Sequence, residues 1–138
     1  MANKTVRFIS NKMKNLDICM MNTLGTGGTI NTRPMSNNRD VTYKGESFFF
    51  SRGDTRKVKD IKKKKAVTLA YEGTKGLYII VTGKARLLTD KATLQEHWVD
   101  SLNQWFKDGI ETEGLTLIAV KADHIHYWDN YKEGDIDL

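Results

Sequence analysis

Residues 66–88, AVTLAYEGTKGLYIIVTGKARLL, hold two β-forming runs separated by four turn residues. Ala66 to Glu72 and Leu77 to Leu88 are rich in Val, Ile, Leu, Thr and Tyr, and Gly73-Thr74-Lys75-Gly76 joins them. A link that short pairs strands antiparallel, because parallel neighbours need a crossover of about a dozen residues or more. Gly83, inside the second run, marks a bulge or bend. Upstream, Val6, Ile9, Met13 and Leu16 recur at helical spacing, which predicts an amphipathic helix over residues 4–15. Strands are expected at Ile18 to Asn22 and Thr29 to Met35, reversed by Gly25-Thr26-Gly27-Gly28. A second hairpin is expected, with Val41 to Tyr43 and Glu46 to Ser51 flanking Lys44-Gly45, and a short helix whose Val58 and Ile61 face inward follows Thr55. Downstream, Thr89-Asp90 caps a helix carrying Leu94, Trp98, Leu102 and Trp105 and ending at Gly109, before strands at Leu115 to Lys121 and Ile125 to Asp129. Seven or eight strands, mostly joined by tight turns and broken by single helices, indicate a small antiparallel barrel and not a doubly wound parallel sheet.

A chain of 138 residues suits one domain, here 1–138. The 39% hydrophobic and 28% charged content, with 11 Gly and 1 Pro, excludes collagen-like and strongly disordered classes. No apolar run approaches the roughly 18–20 residues of a membrane helix, and Met1-Ala2-Asn3-Lys4 does not begin a signal peptide, so a cytoplasmic protein is expected. Cys19, the single cysteine, forms neither an internal disulfide nor a cysteine-based zinc cluster. The net charge is +5, yet the eight bases and two acids between Arg52 and Lys65 carry +6, leaving −1 for the remainder. Charge confined to one segment suggests an anion site or one basic face. Lys62 to Lys65 surround a helix end, where dipole compensation is favoured over nucleic-acid contact.

Phe48-Phe49-Phe50-Ser51-Arg52-Gly53-Asp54-Thr55-Arg56-Lys57 places hydroxyls, cations and a helix start directly after an aromatic strand. Free amides at a helix N-terminus suit a phosphate, and Ser51, Thr55, Arg56 and Lys57 could add charge-assisted bonds. The competing reading is a capped helix with a solvated basic face. Pro34, in Arg33-Pro34-Met35, cannot donate to a ladder and implies an edge strand. Trp98 reads as core, whereas Trp105 and Trp128 stand beside turn signals, where a ring can stack on a flat ligand. No Gly-x-Ser-x-Gly, His-Glu-x-x-His or Walker loop occurs. His124 and His126 share a strand face, but spacing defines no third ligand, and no metal is assigned.

In order and spacing, Cys19 to Thr23, the glycine-rich hairpin, Arg33-Pro34-Met35, Phe49-Phe50-Ser51 with Thr55-Arg56-Lys57, Tyr78 to Ala85, Trp105 to Gly109 and Tyr127-Trp128-Asp129 resemble the pyridoxamine 5′-phosphate oxidase-like flavoproteins, and within them the general stress protein 26 family. The resemblance implies a mainly β fold, a six-stranded antiparallel split β-barrel with flanking helices, in a homodimer with flavin sites at the subunit interface. FMN is the expected cofactor, with FAD as the alternative. By resemblance, Arg33, Pro34 and Met35 meet the isoalloxazine and ribityl region with Phe50 and Ser51 beside them, Arg56 and Lys57 hold the phosphate helped by Thr55, and Trp105 and Trp128 lie near the flavin, Trp128 from across the dimer. Tyr78 matches a position that is usually a polar flavin contact in the oxidases.

Two departures from the family pattern stand out. Lys107 replaces the proline usual after the Trp-Phe pair, and Asp129 to Leu138 carries four acids and one lysine where true pyridoxamine phosphate oxidases carry a basic, substrate-gripping end. Such a tail repels a phosphorylated substrate. The expected function is therefore a flavin-dependent oxidoreductase of the general stress type, with unknown substrate and electron donor and no assigned catalytic residue. The alternatives are a non-catalytic flavin-binding or flavin-sensing stress protein and a nucleic-acid binder acting through the basic helix.

Overall fold

The turn at residues 73–76 does reverse the chain: in the computed structural model, which describes residues 5–138, β4 (Ala66–Glu72) pairs antiparallel with β5 (Tyr78–Leu88), from Glu72 opposite Tyr78 to Ala66 opposite Lys84. Lys75 and Gly76 supply the left-handed backbone of the turn, with φ of 57° and 73°. The register of β5 against β6 (Leu115–Asp129) shifts at Thr82/Gly83. A Cβ at Gly83 would run into the carbonyl oxygen of Lys121, so the absence of a side chain is what lets the long strand bend there.

Seven strands form one antiparallel sheet, with β1 (Ile18–Leu24), β2 (Ile30–Ser36), β3 (Glu46–Arg52) and β7 (Lys132–Asp137) completing it. Six lie on a continuous path, β2-β1-β4-β5-β6-β3, and β7 pairs with β6 off that path. The sheet curls into a half-barrel with flanking helices, the mainly β split-barrel architecture expected. Pro34 sits on β2, at the end of that path, opposite Met20, where its missing N–H leaves no ladder bond unmade toward a further strand. The helices are α1 (Val6–Met13), α2 (Arg56–Lys63) and α3 (Lys91–His97). The expected start of the first helix at residue 4 lies outside the described residues.

Three expectations are corrected and one strand is added. Val41 to Tyr43 is not a strand: the Val41 amide donates only to the Asn38 carbonyl, 3.4 Å away, in a turn, and Glu46–Arg52 pairs instead with Arg52-to-Glu46 partners Leu115 to Lys121. The long apolar partner offers a full ladder that three residues cannot. Leu115 to Lys121 and Ile125 to Asp129 are one strand of 15 residues, because β5 pairs with it along both halves and carries it past the bulge. The helix expected to run to Gly109 stops at His97. Trp98 and Val99 are extended, which turns Trp98 toward Phe50 and Phe106 at centroid separations of 5.1 and 6.0 Å, and a 3₁₀ turn follows over Asp100–Gln104. Finally, the acidic end is a strand: Ile136 of β7 is buried, while Glu133, Asp135 and Asp137 alternate with it on the exposed face.

Two apolar clusters hold these elements. The larger joins inward residues of β1, β4, β5 and β6 (Met21, Leu69, Ile79, Ile125) to Ile9 and Met13 of α1 and to Val58 and Ile61 of α2. The smaller sets Leu94, Leu115 and Leu117 beneath Phe50, Trp98 and Phe106. At about 1.5–3 kcal/mol for each fully buried side chain, Val58 and Ile61 suffice to seat a helix of eight residues that is too short to be stable alone. That seating fixes the start of α2 beside β3, where the site lies.

Candidate functional site

A cavity of about 880 Å³ opens between the edge of β2, strand β3 and the segment 101–106. This lies within the roughly 300–1,000 Å³ usual for cofactor sites. Its apolar wall comes from Pro34 and Met35 of β2, Phe48, Phe49 and Phe50 of β3, and Leu102, Trp105 and Phe106. Its polar end comes from Ser51, Arg52, Thr55 and Lys57, where β3 gives way to α2. At the rim, Asp17 pairs with Arg39 at 3.0 Å and Asp40 accepts from Ser101 at 3.0 Å, so both acids already have partners.

The polar end is arranged to receive an anion. Thr55 stands at the N-cap of α2 in extended conformation, yet its hydroxyl makes no capping bond. It donates instead to the Arg52 carbonyl at 3.0 Å, as does Ser51, and the two hydroxyl oxygens lie 3.3 Å apart. The first-turn amides of α2 therefore receive no side-chain acceptor, and the positive end of the helix stays open. Lys57 lines the cavity half-buried, and among the described residues no carboxylate pairs with it. Burial lowers its pKa, and the nearby charge of Arg33 lowers it further. A cation held in that way gains from an anionic ligand.

The other predicted residues divide around this cavity. Pro34, Met35, Phe50, Ser51, Thr55, Lys57 and Trp105 line it, Trp105 with 64% of its surface exposed. Arg33 does not. Its guanidinium donates to the Thr23 hydroxyl at 2.7 Å and to the carbonyls of Asn31 and Met21 at 3.1 and 3.3 Å, and it lies 3.8 Å from Asp60. Arg56 lines a neighbouring cleft of about 360 Å³ with Lys59, Lys63 and Asp60, since consecutive helix residues point roughly 100° apart. Trp128 is on the outward face of β6 opposite Tyr78, with its ring edge-on to His126 at 4.4 Å.

Asp60 is the residue that sequence reasoning missed. It is buried within the basic α2 and accepts from the Thr23 hydroxyl at 2.7 Å and the Asn31 amide at 2.8 Å. Burial would raise its pKa, but these bonds and the charge of Arg33 outweigh that and hold the carboxyl below its usual range. The available signal was an acid between Val58 and Ile61, on the apolar side of a helix otherwise rich in lysine. Cys19 offers no chemistry: it is fully buried, which pushes its thiol up to about 11.

On the outward sheet face beside the cavity mouth Ile18, Met20 and Ile30 are exposed, and the register runs from Pro34 through Met20, Ala70 and Ile80 to His126, with Tyr78 and Trp128 in the adjoining row. Exposed apolar side chains grouped on one face suit contact with a partner.

Comparison with known proteins agrees with this architecture. The family model described as pyridoxamine 5′-phosphate oxidase like matches residues 4–136. Nothing among the curated proteins matches the chain. Of solved structures, a protein related to general stress protein 26 from Clostridium acetobutylicum superposes with a TM-score of 0.81 at 21% identity, covering 95% of this chain and 93% of that one. General stress protein 26 from Bacillus anthracis gives 0.77 at 18% identity over 96% and 98%. The general stress FMN/FAD binding protein from Xanthomonas citri gives 0.76 at 23% identity over 91% and 89%. These identities establish a shared fold, and the family model spans nearly all of the sequence: the chain belongs to the pyridoxamine 5′-phosphate oxidase like family.

Proposed function

We propose that this chain binds FMN, with FAD as the alternative, in the cavity between β2, β3 and α2, and that it acts as a flavin-dependent oxidoreductase on a small molecule not yet identified. The observation that carries this reading is the half-buried Lys57, paired with no carboxylate among the described residues, at the uncapped start of α2 and facing a cavity walled by aromatic side chains. A planar ring with a phosphate tail needs both features.

In this reading, Pro34, Met35 and Phe50 pack the ring, and Lys57 and the α2 amides neutralise the phosphate. The hydroxyls of Ser51 and Thr55 turn from the Arg52 carbonyl to donate to it. Arg56 adds long-range positive charge from the adjoining cleft, and Arg33 is a positioning residue that ties β2 to α2 through Asp60. Trp105 covers the ring, and Trp128 reaches it from a partner subunit docked on the outward sheet face, which makes the working unit a homodimer. The bound flavin would supply hydride and electron transfer, and the protein would orient it and exclude water.

Glu133, Asp135 and Asp137 face outward on β7, and their charge disfavours a phosphorylated substrate at that end, so the proposal is an oxidoreductase other than a pyridoxamine phosphate oxidase. No helix among the described residues is long and apolar enough to cross a membrane, and the proposed location is the cytoplasm.

The test compares FMN with riboflavin, which lacks the phosphate, by quenching of flavin fluorescence. Charge-assisted bonds of about 1.5–3 kcal/mol predict that FMN binds roughly 10–150-fold more tightly. Equal affinity would sink the phosphate assignment. Turnover of NADH or NADPH with an acceptor then separates an oxidoreductase from a non-catalytic flavin sensor.

A further inference from the structure

On the β6–β7 hairpin, two histidines and three carboxylates share one exposed sheet face. His124 and His126 are two apart on β6, and the register sets them opposite Asp137 and Asp135, with Glu133 next along β7 opposite Trp128. On the other side of β6 their registered neighbours on β5 are Thr82 and Ile80, neither of which ionises. The five groups do not pair off one to one. A single oxygen, Asp135 Oδ1, lies 2.8 Å from His124 Nε2 and 2.5 Å from His126 Nδ1. Each ring's remote nitrogen meets a different carboxylate: His124 Nδ1 is 2.6 Å from Asp137 and His126 Nε2 is 2.5 Å from Glu133.

We propose that His124 Nε2, His126 Nδ1 and Asp135 bind a divalent transition-metal ion, with Zn²⁺ the best match to the donor set, and that Asp137 and Glu133 orient the two imidazoles. Ligand atoms of this trio fall within 4.8 Å of one another. A tetrahedral Zn²⁺ with bonds of about 2.0–2.2 Å sets its ligands roughly 3.3–3.5 Å apart, a separation reached by small side-chain rotations. Two histidines and one carboxylate leave a fourth position for water or an exogenous ligand.

The outer contacts distinguish this cluster from a row of surface ion pairs. In metal sites a ligating histidine donates its other ring N–H to a carboxylate, which fixes the tautomer and strengthens the ligand. Here both rings have that partner, on opposite sides of the point where the inner atoms converge. The backbone ladder from His124–Asp137 to Asp129–Lys132 holds all five residues in register, so the site does not depend on a loop. Proton balance follows from the same contacts. The carboxylates raise both histidine pKa values, Asp137 acting first on His124 and Asp135 on His126. A metal ion takes the place of any proton on the inner nitrogen of each ring, while the outer N–H stays donated to its carboxylate. The site draws every ligand from one chain.

The test titrates tag-free protein with Zn²⁺ against a chromophoric chelator. One equivalent per chain is expected, with at least tenfold weaker binding in His124→Gln, His126→Gln and Asp135→Asn. Glu133→Gln and Asp137→Asn, which touch no metal, should weaken binding about 10–100-fold through loss of orientation. Circular dichroism of each variant establishes that the fold persists. Absence of saturable one-equivalent binding, or binding unchanged in both histidine variants, overturns the site and leaves the cluster a ladder of hydrogen-bonded ion pairs.

Discussion

Replacing Asp60 by alanine should cost about 3 kcal/mol of stability, and the figure can be worked from its neighbours. Breaking a buried ion pair by removing one partner costs about 3–5 kcal/mol. The lower end applies, because the Arg33 contact is long at 3.8 Å and Arg33 keeps the Thr23 hydroxyl and two carbonyls as acceptors. The Thr23 hydroxyl proton and the Asn31 amide have no such reserve; Thr23 is 1% exposed and both donate to Asp60 Oδ2. Asp60→Asn retains an acceptor oxygen and loses the charge, for a smaller loss of about 1–2 kcal/mol. Lys59→Ala, on the exposed side of the same helix, should stay within about 0.5 kcal/mol. Urea denaturation at fixed protein concentration, with an unchanged m-value, reads all three. The acid limb adds a sign. A carboxyl whose folded pKa is depressed contributes stability above its unfolded pKa, and that contribution is lost as pH falls through the folded value. Asp60→Asn should flatten that limb. If Asp60→Ala costs no more than Lys59→Ala, the buried network does not hold β1 and β2 to α2 and the reasoning fails.

Gly83→Ala should destabilise by about 1–3 kcal/mol, because the new methyl meets the backbone carbonyl of Lys121 in a packed bulge; an unchanged thermal midpoint would contradict the close approach. Protection of the β6–β7 amides, measured by hydrogen exchange with a chelator present and corrected for intrinsic rate, should be bell-shaped in pH. The raised pKa values of His124 and His126 mean that their contribution is full below the unfolded histidine pKa and fades as pH rises through the folded values. Asp135, held low first by His126 and then by His124, loses its contribution as pH falls through its folded pKa. His124→Gln with His126→Gln should flatten the high-pH limb, and a limb unaltered in that double variant would rule the ladder out as its cause. On the proposed homodimer the parent should elute as a dimer in gel filtration and the combined Ile18→Asp and Met20→Asp variant, aimed at the exposed apolar side chains, as a monomer; a dimer in both would place the interface elsewhere, and a monomeric parent would contradict the homodimer.

Local patterns in the sequence identified most of the frame. The Gly73–Gly76 turn, the glycine at the bulge and the edge proline each impose a backbone requirement readable at one position, and each recurs in the structure. Two of the misreadings share one physical cause, competition from partners distant in sequence. Val41 to Tyr43 yields to β6 as the partner of β3. The period through Leu94, Trp98, Leu102 and Trp105 is real, yet Trp98 leaves the helix to pack on Phe50. In Lys132–Asp137, alternation around Ile136 signalled a strand, but the density of charge hid it. The site was legible in the same uneven way. The motif around Ser51 to Lys57 marked the polar end of the cavity, whereas the wall from 101–106 is assembled by tertiary packing. The divergence of Arg56 from Lys57 follows from helix geometry. The pairing of Arg33 with Asp60 could not follow from spacing alone, since it joins strand to helix.

The central claim is that the cavity beside α2 holds a flavin through Lys57. Purified protein mixed with FMN and desalted should keep flavin absorption bands near one per chain, and Lys57→Ala, carrying no other change, should lose most of them. A colourless parent, or a Lys57→Ala protein that retains its flavin as well as the parent does, would contradict it.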